Sequence, residues 1–237
     1  MTQAEMLASF FVNKGEGNRA WRLKGHAHEA FYRWLTSWAM FLGKPSDLGF
    51  EDDGFVLPEL SVLPTIVGKP TPRAGNLFGA ELRGIQDRLR VRRETLTDRV
   101  SVAANLLTAF SAEGHQSIAW CGLNAEQDAL AELLGEGCVS VQGADKEPDK
   151  RARVAAFLSG EARILVSKPD IVGFGMNFQC ASRQIFVGLG DSYEAYYQAI
   201  RRSWRFGQTK PVTVHIVVSD VEAEIVANVQ RKERTAK

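Results

Sequence analysis

The chain has 237 residues, 45% of them apolar and 24% charged, with a net charge of +1. This make-up is ordinary for a soluble globular protein and leaves room for one large domain, or a domain with an appendage. It excludes a global basic field, so any contact with nucleic acid has to come from a local patch. Three widely spaced cysteines, Cys121, Cys138 and Cys180, form no CxxC pair; they predict buried thiols in a reducing cytosol, not disulfides or zinc ligands. No apolar run reaches the length of a membrane span, and the N-terminus lacks the apolar core of a signal peptide.

Residues 2–12 predict a short amphipathic helix with Met6, Leu7, Phe10 and Phe11 inward, followed by a turn. Residues 26–42 predict a second helix, where Phe31, Trp34, Leu35, Trp38 and Phe41 recur at spacings of three and four. This aromatic face suits a hydrophobic core better than a base-stacking platform. His26 and His28, without further ligands, do not make a metal site. Residues 43–80 are rich in Gly and Pro and predict irregular structure with a short strand over Leu60 to Val67. Residues 81–93 carry Arg83, Arg88, Arg90, Arg92 and Arg93 on a predicted helix. They are either a solvated face or a patch for a phosphate backbone, and for the second role Arg88, Arg90, Arg92 and Arg93 are the candidates.

From Thr95 the pattern changes. Thr95 and Asp98 have the spacing of a capping box before a helix reaching Glu113, with Val100, Ala103, Leu107 and Phe110 inward. Strands are predicted at 117–121, 138–143, 162–168, 183–189 and 211–218. Helices are predicted at 125–134 (capped by Asn124), 149–158, 193–205 and 221–234. Short apolar strands alternating with helices imply a doubly wound parallel α/β sheet covered on both faces, over residues 96–237. Residues 1–95 form a mainly helical appendage. Ligands of such sheets bind beyond the carboxyl ends of the strands.

The most informative stretch is YEAYYQAIRRSWRFGQ, residues 193–208. Gln198, Arg202 and Arg205 are spaced at four and seven, which on a helix places them along one edge. Two guanidiniums and an amide in a row suit an oxyanion with several oxygens, such as a polyphosphate. After strand 162–168, Gly173 and Gly175 bracket Phe174, and Asn177 follows. Glycines at alternate positions let the backbone approach a phosphate or ribose.

QAIRRSWRFGQTKPV resembles motif VI of superfamily 2 helicases, particularly the Swi/Snf-type DNA translocases: Gln198, Ala199, Arg202, Arg205, Gly207 and Gln208 fall on that pattern. SKPDIVGFGMNF resembles motif V, with Val172 where the family has Gly. SIAWCGLNAEQDALAELL resembles motif IV, and Gly143, Lys150 and Phe157 keep the spacing of the block after it. The resemblance covers roughly residues 96–220; residues 1–95 resemble the segment joining the two lobes in phage-type relatives. It implies a second RecA-like lobe, with Arg202 and Arg205 as catalytic arginine fingers and Gln198, Gly173, Gly175 and Asn177 at the nucleotide. Gly143, Ser167 and Lys168 would hold nucleic acid. It further implies ATP as cofactor with magnesium held by an N-terminal lobe, DNA or else RNA as partner, no membrane, a monomer, and the cytoplasm of a bacterial or phage-infected cell. The chain contains no G-x-x-x-x-G-K-[ST] and no apolar strand ending in Asp-Glu. The expectation is therefore the C-terminal half of a two-lobe ATPase, inactive alone; the alternative is a non-catalytic binding module with a helicase-like fold.

Overall fold

The computed structural model describes residues 1–13, 21–40, 42–68, 90, 92–172, 176–190 and 192–219. The predicted helix at 221–234 and most of the one at 81–93 lie outside these. Contacts divide the chain into two units, Met1–Asp53 and Gly54–Lys237. The division falls upstream of residue 95 because a strand before that position belongs to the sheet, as described below.

In the first unit, α1 (Gln3–Phe10) starts at a capping box: the Glu5 N–H donates to Thr2 Oγ1, and the Thr2 N–H donates to the Glu5 carboxylate. β1 (Phe11–Asn13) and β2 (Trp21–Leu23) pair antiparallel. α2 (His28–Thr36) is shorter than its apolar stripe predicts. Phe10, Phe31 and Trp34 meet at ring distances of 5.4–5.9 Å, but Trp38, past the helix end, is exposed. Phe41 lies outside the described residues.

The second unit is built on a six-stranded, all-parallel sheet. Its strands are β3 (Leu60–Val67), β4 (Gln116–Cys121), β5 (Cys138–Val141), β6 (Ile164–Ser167), β7 (Ala181–Val187) and β8 (Val212–Ser219), in the order β3-β8-β7-β4-β6-β5. β3 pairs in parallel with β8, with Pro64 opposite Ile216. A proline has no backbone N–H to donate, and β3 is an edge strand with one side of its ladder open, where the missing donor is tolerated. The helices are α3 (Leu96–Ala112), α4 (Asn124–Leu134), α5 (Glu147–Ser159) and α6 (Tyr193–Ile200).

Alternation along the strands divides the core in two. Ile118 and Trp120 of β4 join Phe186, Val214, Ile216, Phe157 and Ile200 on one face. Ala119 and Cys121 join Ile185, Val187, Val100, Leu107 and Leu130 on the other. Thus α5 and α6 cover one face, α3 and α4 the opposite one. This is the doubly wound α/β architecture expected from the sequence. From β4 the chain goes out to the edge strand β5, returns to β6 beside β4, and then crosses to β7 and β8 on the other side. The order reverses about β4, where crevices form in such sheets.

A buried ionic clasp closes that end of the sheet. Glu126, in the first turn of α4, is fully buried and accepts from the Gly122 and Leu123 N–H groups at 2.9 Å each. Arg99 of α3, also fully buried, donates to Glu126 at 2.7 Å and to the Val187 carbonyl at 3.1 Å. Arg92 donates to both oxygens of Glu126 at 3.0 and 3.1 Å. The guanidiniums fill the space a Cβ would take at Gly122 and Gly188: a Cβ on Gly188, where φ is +84°, would lie 2.8 Å from both Arg92 and Arg99. Arg99 explains why Thr95 does not cap α3 with its side chain; the Thr95 hydroxyl accepts from Arg99 Nε instead. Removing the carboxylate in Glu126→Ala leaves two buried guanidiniums uncompensated and should cost about 3–5 kcal/mol in chemical denaturation. Glu147→Ala, which breaks an exposed pair with Arg151, should cost under about 1 kcal/mol. Equal losses would contradict the clasp.

Candidate nucleotide and nucleic-acid site

The carboxyl ends of β4, β6 and β7 frame two adjoining clefts. The first, about 240 Å³, is lined among others by Arg92, Trp120, Lys168, Asp170, Ser192 and Tyr196. The second, about 220 Å³, is lined by Pro169, Asp170, Ser192, Glu194, Ala195, Gln198 and Arg202. Pro169, Asp170, Ser192 and Ala195 line both, and Ser192 caps α6, its hydroxyl accepting from the Ala195 N–H at 3.2 Å.

Gln198 and Arg202 therefore share one cleft, as their spacing predicts. Arg205 is not among its lining residues. The reason is local: α6 ends at Ile200, and residues 201–207 form turns. The carbonyls there are captured outside a helix. Phe178 N–H donates to the Arg202 carbonyl at 2.8 Å, and Gln208 N–H to that of Arg205 at 3.0 Å. The buried Gln208 amide donates to the carbonyls of Gln179, Ala181 and Ser203. Gln179 in turn donates to the Phe206 carbonyl. The arginine turn is thus stitched to the loop that carries Asn177, whose own amide donates to Gln179 at 3.0 Å. Gly173 and Gly175 lie outside the described residues.

Arg202 is buried, with 9% of its surface exposed, rather than standing at a rim. Its guanidinium donates to the Pro169 carbonyl at 3.1 Å and lies 6.0 Å from the centre of the Trp120 ring. Trp120 is fixed by its indole N–H donating to Gln184 at 2.7 Å, and Gln184 donates onward to the Ile200 carbonyl at the end of α6. Burial pulls the Arg202 pKa below the ordinary arginine value, partly opposed by the nearby Asp170 carboxylate. A buried cation opening into a cleft is a strong receptor for an anion. The sequence does not mark Trp120 or Asp170 as site residues; Gln184, a polar side chain inside an apolar strand, is the one local signal.

Two of the expected nucleic-acid contacts, Ser167 and Arg92, are engaged within the protein. Ser167 is fully buried, and its hydroxyl donates to the Val141 carbonyl at 2.8 Å, so it presents nothing to a phosphate. Arg92 belongs to the clasp and only edges the first cleft. Arg201, next to Arg202 in the turn, lies over Tyr197 at 5.8 Å and Trp204 at 5.2 Å. Lys168 lines the first cleft and donates to Asn124, which therefore serves this contact instead of capping α4. Gly143 is exposed and its carbonyl accepts from Lys150 at 3.0 Å, so that pair of the spaced block is in direct contact. Arg90 and Arg93 are exposed; Arg88 lies outside the described residues. Among the described residues, no group of three or more His, Cys, Asp or Glu is placed to hold a metal. No described helix is long and apolar enough to cross a membrane.

Residues 98–207 match the family model described as the helicase conserved C-terminal domain. The matched span holds both arginines, the second cleft, and the first cleft except for Arg92. The chain is 27% identical over 143 residues to "Protein CHROMATIN REMODELING 24" of Arabidopsis thaliana, covering 58% of this chain and 13% of that protein. It is 28% identical over 123 residues to "ATP-dependent RNA helicase SUB2" of Saccharomyces cerevisiae, covering 51% of this chain and 27% of that one. It thus spans about an eighth to a quarter of the length of these relatives. It is also similar to the crystal structure of the C-terminal part of the Fun30 ATPase domain, with 20% identity and a TM-score of 0.49, covering 55% of this chain and 44% of that one. The match falls on the doubly wound parallel sheet and the helices that cover it.

The two arginines should separate in stability. Arg202→Ala removes a buried side chain and its hydrogen bond and should lower stability by about 1–2 kcal/mol in thermal unfolding. Arg205→Ala should stay within about 0.5 kcal/mol. The reverse order would contradict the placement of Arg202.

Proposed function

We propose that the chain supplies the second RecA-like lobe of an ATP-dependent, Swi/Snf-like DNA translocase. The observation that carries this reading is the convergence of Gln198 and Arg202 on one cleft at the carboxyl end of the sheet, inside the span that matches the helicase C-terminal domain. ATP would lie between this lobe and an N-terminal lobe that supplies the phosphate loop and the magnesium carboxylates. The phosphoryl group passes through a state with charge spread over its oxygens, and preorganised guanidiniums stabilise that charge. Arg202 is held from three sides and suits this role; Arg205 follows three residues later in the same turn. Gln198 would bind and orient the phosphates. Gly173, Gly175 and Asn177 would approach the nucleotide from the adjoining loop.

Lys168, Gly143, Arg90 and Arg93 would contact the sugar–phosphate backbone of DNA, with Arg88 beside them. Such contacts position a strand without reading its sequence. Opening and closing of the cleft between lobes would then move the protein along the strand. RNA is the second reading, since one relative is named as an RNA helicase. In this proposal the protein acts as a monomer in the cytoplasm of a bacterial or phage-infected cell, and residues 1–95 form a segment between the lobes of the phage-type enzymes.

The test is phosphate release by the purified 237-residue chain, alone and joined to an N-terminal lobe bearing a phosphate loop. The chain alone should be inactive. The joined protein should hydrolyse ATP, with stimulation by duplex DNA exceeding that by RNA and weakening as salt rises. Arg202→Ala and Arg205→Ala should each cut turnover by on the order of 10³. Turnover by the isolated chain, or full activity in both variants, would overturn the proposal.

A further inference from the structure

Arg205 poses a problem of placement. It is partly buried, and among the described residues it makes no ion pair or hydrogen bond through its side chain. Arg202, by contrast, is fixed at its side chain by Pro169 and at its carbonyl by Phe178. The residues on either side of Arg205 are nevertheless both anchored, and to the same short segment. The Trp204 indole N–H donates to the Pro58 carbonyl at 2.8 Å. The Phe206 ring meets the Phe55 ring edge-on, with centroids 4.8 Å apart and planes at 64°.

That segment, residues 54–59, leads directly into β3. Its downstream end is tied to the sheet, the Glu59 carbonyl accepting from the Val212 N–H at 2.9 Å. It lies outside the residues matched by the helicase domain model, 98–207. Phe55 and Phe206 are each 43% exposed, so their contact adds little to the core. An edge-on aromatic pair prefers a defined geometry, and so fixes orientation beyond simply burying area. Trp204 is further held on its face by Arg201, 5.2 Å from its ring centre.

We propose that residues 54–59 act as a strap that positions Arg205, with Phe55 and Pro58 bracketing it through Phe206 and Trp204. The inference rests on the reading of Arg205 as an arginine finger. Phe55 touches no reacting atom; it acts through the backbone of residues 204–206. Loosening the strap leaves Arg202 in place and lets Arg205 wander. A reacting group displaced by about 1 Å loses up to about 100-fold in rate. The loss falls on kcat, because a finger acts on charge developed in the transition state, not on ground-state ATP.

The experiment is steady-state ATP hydrolysis by the two-lobe protein containing this chain. Phe55→Ala should lower kcat by about 10- to 100-fold, with the KM for ATP changed less than about threefold, because ground-state binding is retained. Phe55→Tyr, which keeps the ring, should restore kcat. Trp204→Phe keeps a ring under Arg201 and removes the donor to Pro58; it should show the same kcat-specific loss and decides the matter if Phe55→Ala fails to fold. In an Arg205→Ala background Phe55→Ala should cost nothing further, whereas in an Arg202→Ala background it should cost its full factor. An unchanged kcat, a loss carried mainly by KM, or a full further loss in the Arg205→Ala background would overturn the strap while leaving the finger reading intact. If Arg205→Ala itself leaves kcat unchanged, the finger reading falls and the strap falls with it.

Discussion

One buried carboxylate sets the geometry of the sheet end where both clefts open. Glu126 accepts from two guanidiniums and two backbone N–H groups, which saturates its oxygens. Carrying three charges out of water is costly, and such a cluster is retained only where the hydrogen bonding is complete. Its worth here is positional. Arg99 reaches from α3 to the last carbonyl of β7, and Glu126 reaches from α4 to the loop after β4. The loops that follow the paired strands β4 and β7 are thereby held together beyond the last paired residues, Cys121 and Val187. The glycines at 122 and 188 make room for it, since any Cβ there would meet a guanidinium.

On the opposite face the same task is done by neutral amides. Gln184 links Trp120 to the end of α6, and Gln208 gathers three carbonyls from the arginine turn and its neighbouring loop. Fully satisfied buried networks rigidify their surroundings. The turn at 201–207 abandons helical hydrogen bonding, and these amides replace what the helix would have supplied. Arg202 is thus a cation whose position is settled before any ligand arrives, the condition for electrostatic preorganisation.

Much of this was legible in the sequence where a periodic pattern carried it. The strand–helix alternation gave the parallel sheet, and a spacing of four placed Gln198 and Arg202 together. The edge strand Leu60–Val67 was legible as a strand, but not its partner β8, because pairing across such a span is decided by tertiary structure. The shared helical face of Arg202 and Arg205 is lost where the period ends: the helix stops at Ile200, and nothing local announces that Phe178 and Gln208 take the carbonyls of the turn. Arg92 and Ser167 read as surface contacts because a sequence shows charge and hydroxyl but not the partner. Glu126 lies 34 residues from Arg92, and Val141 lies 26 from Ser167. The motif pattern did mark Gln208, though for its place in the pattern and not for the clasp it makes.

The proposed two-lobe arrangement makes the arginine turn the point where this lobe meets the transferring phosphoryl group. The most direct measurement is a crystal structure of the two-lobe protein with magnesium, ADP and beryllium fluoride, a mimic of the γ-phosphoryl group. The account predicts the Arg202 and Arg205 guanidiniums within about 3 Å of the fluoride atoms, with Gln198 beside them and Phe55 still against Phe206. A nucleotide bound with both guanidiniums turned away from the fluorides, or bound elsewhere on the sheet, would contradict it.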